Sequence, residues 1–301
     1  MQSVSKCSVC GSPDVEVARV VDGYRVWGCK SCGLYWVPGV SDEVLTNFYG
    51  SQYFNGSQDF GYADYLANEG ILRLNARTLL EVIDQNFPGK TRADLKLLDV
   101  GCAHGFLVDE ACKIGYDAEG IDSSALAAEY GRTVLNRHVQ VGMIGSAQYP
   151  ADHFDVVTSV GSIEHLSDAV QFVEDVARIT KPGGLLLITT VDTKRFMGIY
   201  RFKPPEHLYY FSRDNLTLLL NSKGYDVVRL TGNRVSHALG EALGILGKAL
   251  FSRWFDTDVI VRRLPFQHVR VSVPNNEMLV VARKRQACPW PPSVRFSQPL
   301  E

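Results

Sequence analysis

The chain has 301 residues, of which 46% are hydrophobic, and its 31 Lys and Arg against 33 Asp and Glu leave a net charge of −2. These values suit a globular protein of one or two domains, and they exclude wholesale disorder, a coiled-coil rod and a polycation that coats nucleic acid. The sequence contains neither an apolar run near the ~18 residues that cross a bilayer nor the apolar core of a signal peptide, so we expect a cytoplasmic protein without a membrane partner.

Four of the seven cysteines lie in the first 32 residues, as two Cys-x2-Cys pairs separated by eighteen residues. The pairs are Cys7 with Cys10 and Cys29 with Cys32. Between them, Val15–Val21 and Tyr24–Trp27 flank an Asp-Gly turn, which predicts a β-hairpin. In a reducing compartment this spacing predicts a zinc ribbon, and four thiolates close the tetrahedron, so the ion would be structural. We predict one structural zinc in residues 1–40; the alternative is a degenerate ribbon whose cysteine pairs bind no metal.

Residues 41–90 combine two predicted helices with a cluster of aromatic residues. Asp42 could cap a short helix through Phe48, and apolar residues from Leu72 to Ile83 recur at helical spacing. Tyr53 and Tyr62 lie in the aromatic stretch between these helices. The stretch predicts either core packing or a lid over a neighbouring site, with these two tyrosines as its contact residues.

From residue 91 the pattern changes to strands that alternate with helices, which predicts right-handed βαβ units and a doubly wound α/β sheet over 91–286. The predicted strands are Lys96–Val100, Asp117–Ile121, His138–Val141, Phe154–Val160, Leu185–Val191, Tyr225–Leu230 and Met278–Ala282. The predicted helices are Phe106–Ile114, Ser124–Leu135, Asp168–Ile179 and Asn215–Ser222. We further predict a helical insertion at about 236–264 and an irregular, proline-rich tail over 287–301.

A glycine-rich turn, Leu97–Gly105, joins the first of these strands to the first helix. Glycine lets the backbone approach a ligand closely at the carboxyl end of a strand. The stretch matches neither a P-loop nor the NAD fingerprint. Asp99 precedes the first glycine and Asp122 ends the second strand, which together describe a nucleoside site without a phosphate. The alternative for Asp122 is to cap the helix that begins near Ser124.

In these features the chain resembles the class I S-adenosylmethionine-dependent methyltransferases. Leu98–Gly105 is similar to their glycine-rich first motif, and Phe154–Val157, Ile163–Leu166 and Lys181–Gly184 are similar to later ones. The resemblance implies S-adenosylmethionine as the cofactor and a Rossmann-like, mostly parallel seven-stranded sheet whose last strand is antiparallel. The residues that it implies at the cofactor are Asp99, Gly101, Cys102, His104, Gly105, Asp122, Ser146, Ala147 and Val160. Ser146 replaces the acid that commonly contacts adenine in the family.

The N-terminal cysteines, the aromatic stretch and the segment Pro204–Ser212 together resemble methyltransferases that act on sugars and secondary metabolites. In the sugar C-methyltransferases a Glu-His pair at this place serves the substrate, which makes Glu206 and His207 the predicted catalytic pair. His165, on the loop after the fourth strand of the sheet, is the second candidate base. The resemblance thus implies methyl transfer to an oxygen or carbon of a small molecule.

The sequence leaves open two other functions and the role of one charged stretch. An RNA methyltransferase could grip its substrate with the ribbon, although three basic against three acidic residues in 7–38 make no basic stripe. A non-catalytic protein could dock a partner through the ribbon, although the intact glycines and acids of the turn disfavour it. The stretch from Arg229 to Arg285 has ten Lys and Arg against four Asp and Glu, which indicates either a solvated face or an anionic or carrier-linked substrate.

Overall fold

Seven strands form the larger sheet of the computed structural model, which describes residues 4–48, 65–194, 202–238 and 270–286. The strands are β4 (Lys96–Val100), β5 (Asp117–Asp122), β6 (Val139–Val141), β7 (Phe154–Val160), β8 (Thr180–Val191), β10 (Tyr225–Ala238) and β11 (Arg270–Lys284). Their order is β6-β5-β4-β7-β8-β11-β10. The first five pair in parallel, and β11 is antiparallel to both of its neighbours. The doubly wound sheet with an antiparallel last strand is therefore confirmed.

Helices cover both faces of this sheet. They are α1 (Asp42–Phe48), α2 (Glu69–Asp84), α3 (Phe106–Lys113), α4 (Ala125–Thr133), α5 (Ala169–Ile179) and α6 (Arg213–Ser222). α2 is anchored to α3 because the Arg73 guanidinium forms ion pairs with the buried carboxylates of Asp109 and Glu110. Among the described residues, no helix has the length and apolar character that a membrane span requires.

The C-terminal part of the sheet differs from the prediction at β8 and β10. β8 begins at Thr180 rather than Leu185, because the Lys181–Gly184 turn is an irregularity between two paired positions and not a break. β10 continues through Ala238 and pairs there with Arg270, so a helical insertion does not begin at 236. The rest of that predicted insertion, the predicted tail, and Tyr53 and Tyr62 lie outside the described residues.

The N-terminal segment forms a second, four-stranded sheet. Its strands are β1 (Val15–Val21), β2 (Tyr24–Cys29), β3 (Tyr35–Trp36) and β9 (Tyr209–Tyr210), in that order. The β1–β2 hairpin confirms the prediction, but β9 comes from the far end of the chain and pairs with β3. Trp36 and Tyr209 belong to one continuous cluster of buried side chains with Val157 and Ile188 of the larger sheet. The ribbon and the larger sheet therefore share a core.

Candidate functional site

The glycine-rich turn adopts a backbone that only small residues fit. Gly101 has φ 76°, and a Cβ added there would lie 2.7 Å from the Cβ of Ser162. Ala103 also has a positive φ, 47°, and its backbone N–H donates to Asp122 Oδ2 at 2.7 Å. Ser124 N–H donates to the other oxygen of Asp122 at 2.8 Å. Asp122 thus holds the turn after β4 against the end of β5.

The cap of α4 belongs to Ser124, whose Oγ accepts a hydrogen bond from the Ala127 N–H. The alternative in which Asp122 is itself the helix cap is therefore wrong. Its carboxylate instead lines a cavity of about 170 Å³ at the carboxyl ends of β4, β5 and β7, here named the first cavity. Gly101 and Val160 also line it, as the sequence predicts.

Two carboxyl groups lie at the strand ends beside this turn, of which Asp99 is buried and Asp122 is half-buried. Asp99 Oδ1 accepts a hydrogen bond from Thr158 Oγ1 at 2.7 Å, and burial raises the pKa of Asp99 to about 7. Burial also raises the pKa of Asp122, against the lowering effect of its two backbone donors. A cationic ligand nearby would favour the ionised forms of both groups.

A second cavity, of about 330 Å³, adjoins the first and shares Tyr65, Gly101, Val160 and Gly161 with it. Asp99 and Cys102 line this second cavity rather than the first. Residues of β8, β10 and β11 also line it, together with residues of α2. Five of the nine residues predicted at the cofactor thus reach one of two connected cavities.

The other four predicted cofactor residues are not among the residues that line either cavity. His104 is buried and stacks on Tyr65, with ring centroids 4.8 Å apart, and Gly105 carries the turn into α3 with φ 82°. Ser146 is exposed, and its Oγ donates to the Met143 carbonyl at 2.9 Å. Ala147 follows it in the same tight turn. The turn directs the Ser146 side chain toward solvent, so the adenine contact predicted there is not supported.

Met143 and Ile144 line the first cavity at this edge, and the sequence analysis missed them. Both follow the end of β6, the edge strand of the sheet. Their position two or three residues after a strand end was the available signal, because ligands of such sheets lie at the carboxyl ends of the strands. Leu45 of α1 lines the same cavity and carried no comparable signal.

The three predicted catalytic residues lie close to one another, and of the three only His165 lines the first cavity. His165 lines the cavity from a short 3-10 turn, Ile163–His165, and its Nδ1–H donates to the Glu206 carbonyl at 2.6 Å. The His165 and His207 rings meet edge-on with centroids 4.7 Å apart. Burial lowers the pKa of both histidines, so the neutral imidazoles dominate near pH 7.

Glu164 completes this group, and the sequence analysis assigned it no role. Its side chain is 3% exposed, and Oε2 accepts a hydrogen bond from Thr190 Oγ1 at 2.8 Å. Burial raises the pKa of Glu164 to about 8. Its backbone carbonyl accepts from the Leu208 N–H at 2.7 Å. We call Glu164, His165, Glu206 and His207 the acceptor-side cluster.

The four N-terminal cysteines have the geometry of a closed metal site. Their sulfur atoms all lie within 4.8 Å of one another, with 3.7 Å between Cys7 and Cys32 and 3.5 Å between Cys10 and Cys29. Zinc–sulfur bonds of about 2.3 Å in a tetrahedron place sulfurs about 3.8 Å apart. Each pair also ends in a glycine with positive φ, whose N–H bonds the carbonyl of the pair's first cysteine. The residues present therefore fit zinc.

Comparisons with known proteins agree with the fold of the larger sheet and its helices. A family model for a methyltransferase domain matches residues 71–230, just over half of the chain. A ubiquinone biosynthesis O-methyltransferase of Thiobacillus denitrificans is 36% identical over 111 residues, 34% of this chain and 48% of the relative. The mitochondrial ubiquinone biosynthesis O-methyltransferase of Mus musculus is 32% identical over 123 residues, 38% of this chain and 33% of the relative. The chain spans about half or less of the length of these curated relatives.

Two solved structures show the same fold at low sequence identity. The YcgJ protein of Bacillus subtilis has a TM-score of 0.50 at 16% identity and covers 71% of this chain and 99% of its own. A candidate methyltransferase of Bacillus halodurans C-125 has a TM-score of 0.51 at 15% identity and covers 70% and 99%. At these identities the likeness concerns the fold alone.

Proposed function

The chain belongs to the methyltransferase domain family and has the fold of the S-adenosylmethionine-dependent enzymes, and from this premise we propose that it transfers a methyl group from S-adenosylmethionine to an oxygen of a small molecule. One observation carries the proposal. The Asp122 carboxylate fixes the glycine-rich turn, and Asp122 lines the same cavity as His165 of the acceptor-side cluster. A nucleoside cofactor and its acceptor would therefore meet in one cavity.

The chain's own residues provide the contacts that such a cofactor needs. Asp122 would accept hydrogen bonds from the ribose hydroxyls, and Met143 and Ile144 would pack against the adenine. Gly101 would let the backbone approach the methionine portion, and Asp99 would offset the positive sulfonium. S-Adenosylmethionine, when bound, supplies a methyl group that is already a good electrophile.

The acceptor-side cluster would orient the acceptor and remove its proton. In-line alignment of the acceptor with the methyl group lowers the barrier by several kcal/mol, and a positioned proton acceptor typically adds about 10²–10⁴-fold in rate. The names of the relatives support O-methylation of a small molecule. These names do not cover the acceptors that the Pro204–Ser212 segment suggests, namely a sugar or secondary metabolite and a carbon atom. Those acceptors are alternatives within the proposal.

Calorimetry with S-adenosylhomocysteine tests the cofactor half of the proposal. We expect the chain to bind it, and Asp122→Ala to weaken binding by about 10–100-fold, because hydrogen bonds to a charged group are worth about 1.5–3 kcal/mol. Asp117→Ala is the matched control, since Asp117 is exposed at the opposite end of β5. Absence of binding to the unaltered chain, or equal affinity of the folded Asp122→Ala chain, would refute the cofactor assignment.

A turnover assay tests the acceptor half. The unaltered chain should convert S-adenosylmethionine to S-adenosylhomocysteine only when a hydroxyl acceptor is present. His207→Ala and His165→Ala should lower kcat while leaving the affinity for S-adenosylhomocysteine nearly unchanged. Equal loss of both quantities would instead indicate a structural role for the histidines.

A further inference from the structure

Three members of the acceptor-side cluster lie as metal ligands would. A carboxylate oxygen of Glu164 and one ring nitrogen each of His165 and His207 all lie within 4.8 Å of one another. Glu164 and His207 are buried, and His165 lines the first cavity. We propose that these three residues bind a divalent cation, and that this cation in turn binds the acceptor hydroxyl.

The identity of the ligands points to an open, reactive site. Two imidazoles and one carboxylate are a common set at catalytic zinc, where a fourth position stays available for water or substrate. The four cysteines of the ribbon form the opposite kind of site, because they fill every position of the tetrahedron. The described residues thus offer one closed and one open ligand set, with no residue in common.

Hydrogen bonds around the three residues support the same assignment. A histidine that binds a metal usually donates its other ring N–H to a carbonyl or carboxylate, and a metal-bound carboxylate is itself hydrogen-bonded. His165 Nδ1–H donates to the Glu206 carbonyl, and Thr190 Oγ1–H donates to Glu164. The His165 ring also interacts with the Gly161 backbone, a contact that a bound cation would replace.

Binding of the cation would change the distances between the ligand atoms. Bonds of about 2.0–2.2 Å to each ligand would bring neighbouring ligand atoms to about 3.0–3.5 Å. Any pair of these ligand atoms that lies near the 4.8 Å limit would therefore approach each other on binding.

The cation would act on the acceptor and not on the cofactor. A hydroxyl bound to a divalent cation has a lowered pKa, so it loses its proton near neutral pH. The Glu206 carboxylate, 7% exposed and beside the histidines, would take the proton and pass it to solvent. The oxygen lone pair then forms the O–C bond to the methyl group while the S–C bond breaks, and S-adenosylhomocysteine leaves as a neutral sulfide. Only this step rests on the proposed function; metal binding itself does not.

Titration of the full chain, its ribbon loaded with zinc, with Co²⁺ tests the site directly. We expect one additional equivalent of Co²⁺ to bind with visible d–d absorption and without the intense sulfur-to-metal band that a ribbon cobalt would give. His207→Ala and Glu164→Gln should each weaken this binding at least 10-fold, in line with the loss of one of three ligands. His138→Ala is the matched control, because that histidine is exposed and remote from the cluster.

Affinity for S-adenosylhomocysteine, measured on the same variants, separates the outcomes. Variants that bind it like the unaltered chain are folded, so unchanged Co²⁺ binding in them would overturn the metal site. The absence of any Co²⁺ binding outside the ribbon in the unaltered chain would overturn it as well. Co²⁺ binding by a chain that does not bind S-adenosylhomocysteine would support the metal site and refute the proposed function.

Discussion

The two sides of the first cavity differ in how the chain builds them. The proposed cofactor side comes mainly from one short stretch, Leu97 to Asp122, in which a strand, a glycine-rich turn, a helix and a second strand follow one another; Met143 and Ile144 complete it. The acceptor side joins the Ile163–His165 turn, Thr190 of β8 and the segment around His207, which lie far apart in the sequence. The cofactor side is a local structure, and the acceptor side depends on the whole fold.

The acceptor side also depends on the ribbon. β3 pairs with β9 directly after His207, and the Val37 N–H donates to the Leu208 carbonyl at 2.8 Å. Asn215 at the start of α6 reaches back across 183 positions to the Cys32 carbonyl. The ribbon therefore supports the segment that carries the predicted catalytic pair, although its four cysteines are not among the residues that line the cavity.

Removal of one ribbon cysteine should have the largest effect and separate the two sides most clearly. Because a structural metal contributes directly to folding, Cys29→Ser should lose the zinc and lower the Tm by roughly 10 °C or more. Turnover should fall much further than the affinity for S-adenosylhomocysteine, measured by calorimetry. Cys112→Ser, at a half-buried cysteine outside the ribbon, is the control. Equal losses of turnover and affinity would show that the ribbon supports both sides alike.

Asp99→Asn should change how stability depends on pH. The folded chain holds the Asp99 proton up to a pKa of about 7, against a usual value of 3.8, so folding favours the protonated form. This contribution is complete below pH 3.8 and is lost as pH rises through 7, by roughly 2–4 kcal/mol in the free energy of unfolding. Urea unfolding at pH 4 to 8 should show that the free energy of unfolding of Asp99→Asn rises, relative to that of the unaltered chain, as the pH increases to 7. A difference that stays constant with pH would contradict the buried, protonated state.

Gly101→Ala should damage the cofactor side alone. The substitution forces a left-handed residue to carry a Cβ that lies 2.7 Å from Ser162, and such strain costs about 1–3 kcal/mol. We expect the affinity for S-adenosylhomocysteine to fall about 10-fold. Gly115→Ala is a matched control, since Gly115 has φ 103° and nothing lies within 4 Å of its added Cβ. If both variants lose the same affinity, the close approach to Ser162 does not matter.

The smallest effect is expected at Ser146. Because its side chain is exposed and bonded to the Met143 carbonyl, Ser146→Ala should change the affinity for S-adenosylhomocysteine less than about 2-fold. Ile144→Ala should weaken it by roughly 3–10-fold, since Ile144 lines the cavity. Calorimetry on the two variants compares the residue that the family pattern indicates with the residue that the structure places there.

Most of the fold could be predicted because its signals are local. β7 has the bounds that were predicted for it, Phe154–Val160, and α2 covers the predicted helical stripe. The predictions of strand bounds that were wrong are those in which pairing with another strand overrides the local signal. Lys181–Gly184 contains turn residues, but pairing with β7 keeps it within β8, and the polar residues of β10 conceal a strand that only the partner β11 defines.

The sequence by itself determined the residues whose chemistry depends on near neighbours: the spacing of the cysteine pairs, the glycine-rich turn and the acids at the two strand ends. Turn geometry and strand alternation act over a few residues, so they can be read from the order of residues alone. Only the tertiary structure brought Glu164 and His165 to His207 and completed the ribbon sheet with β9. These contacts join residues tens to hundreds of positions apart, and their geometry is set by the packing of the whole core rather than by local propensity.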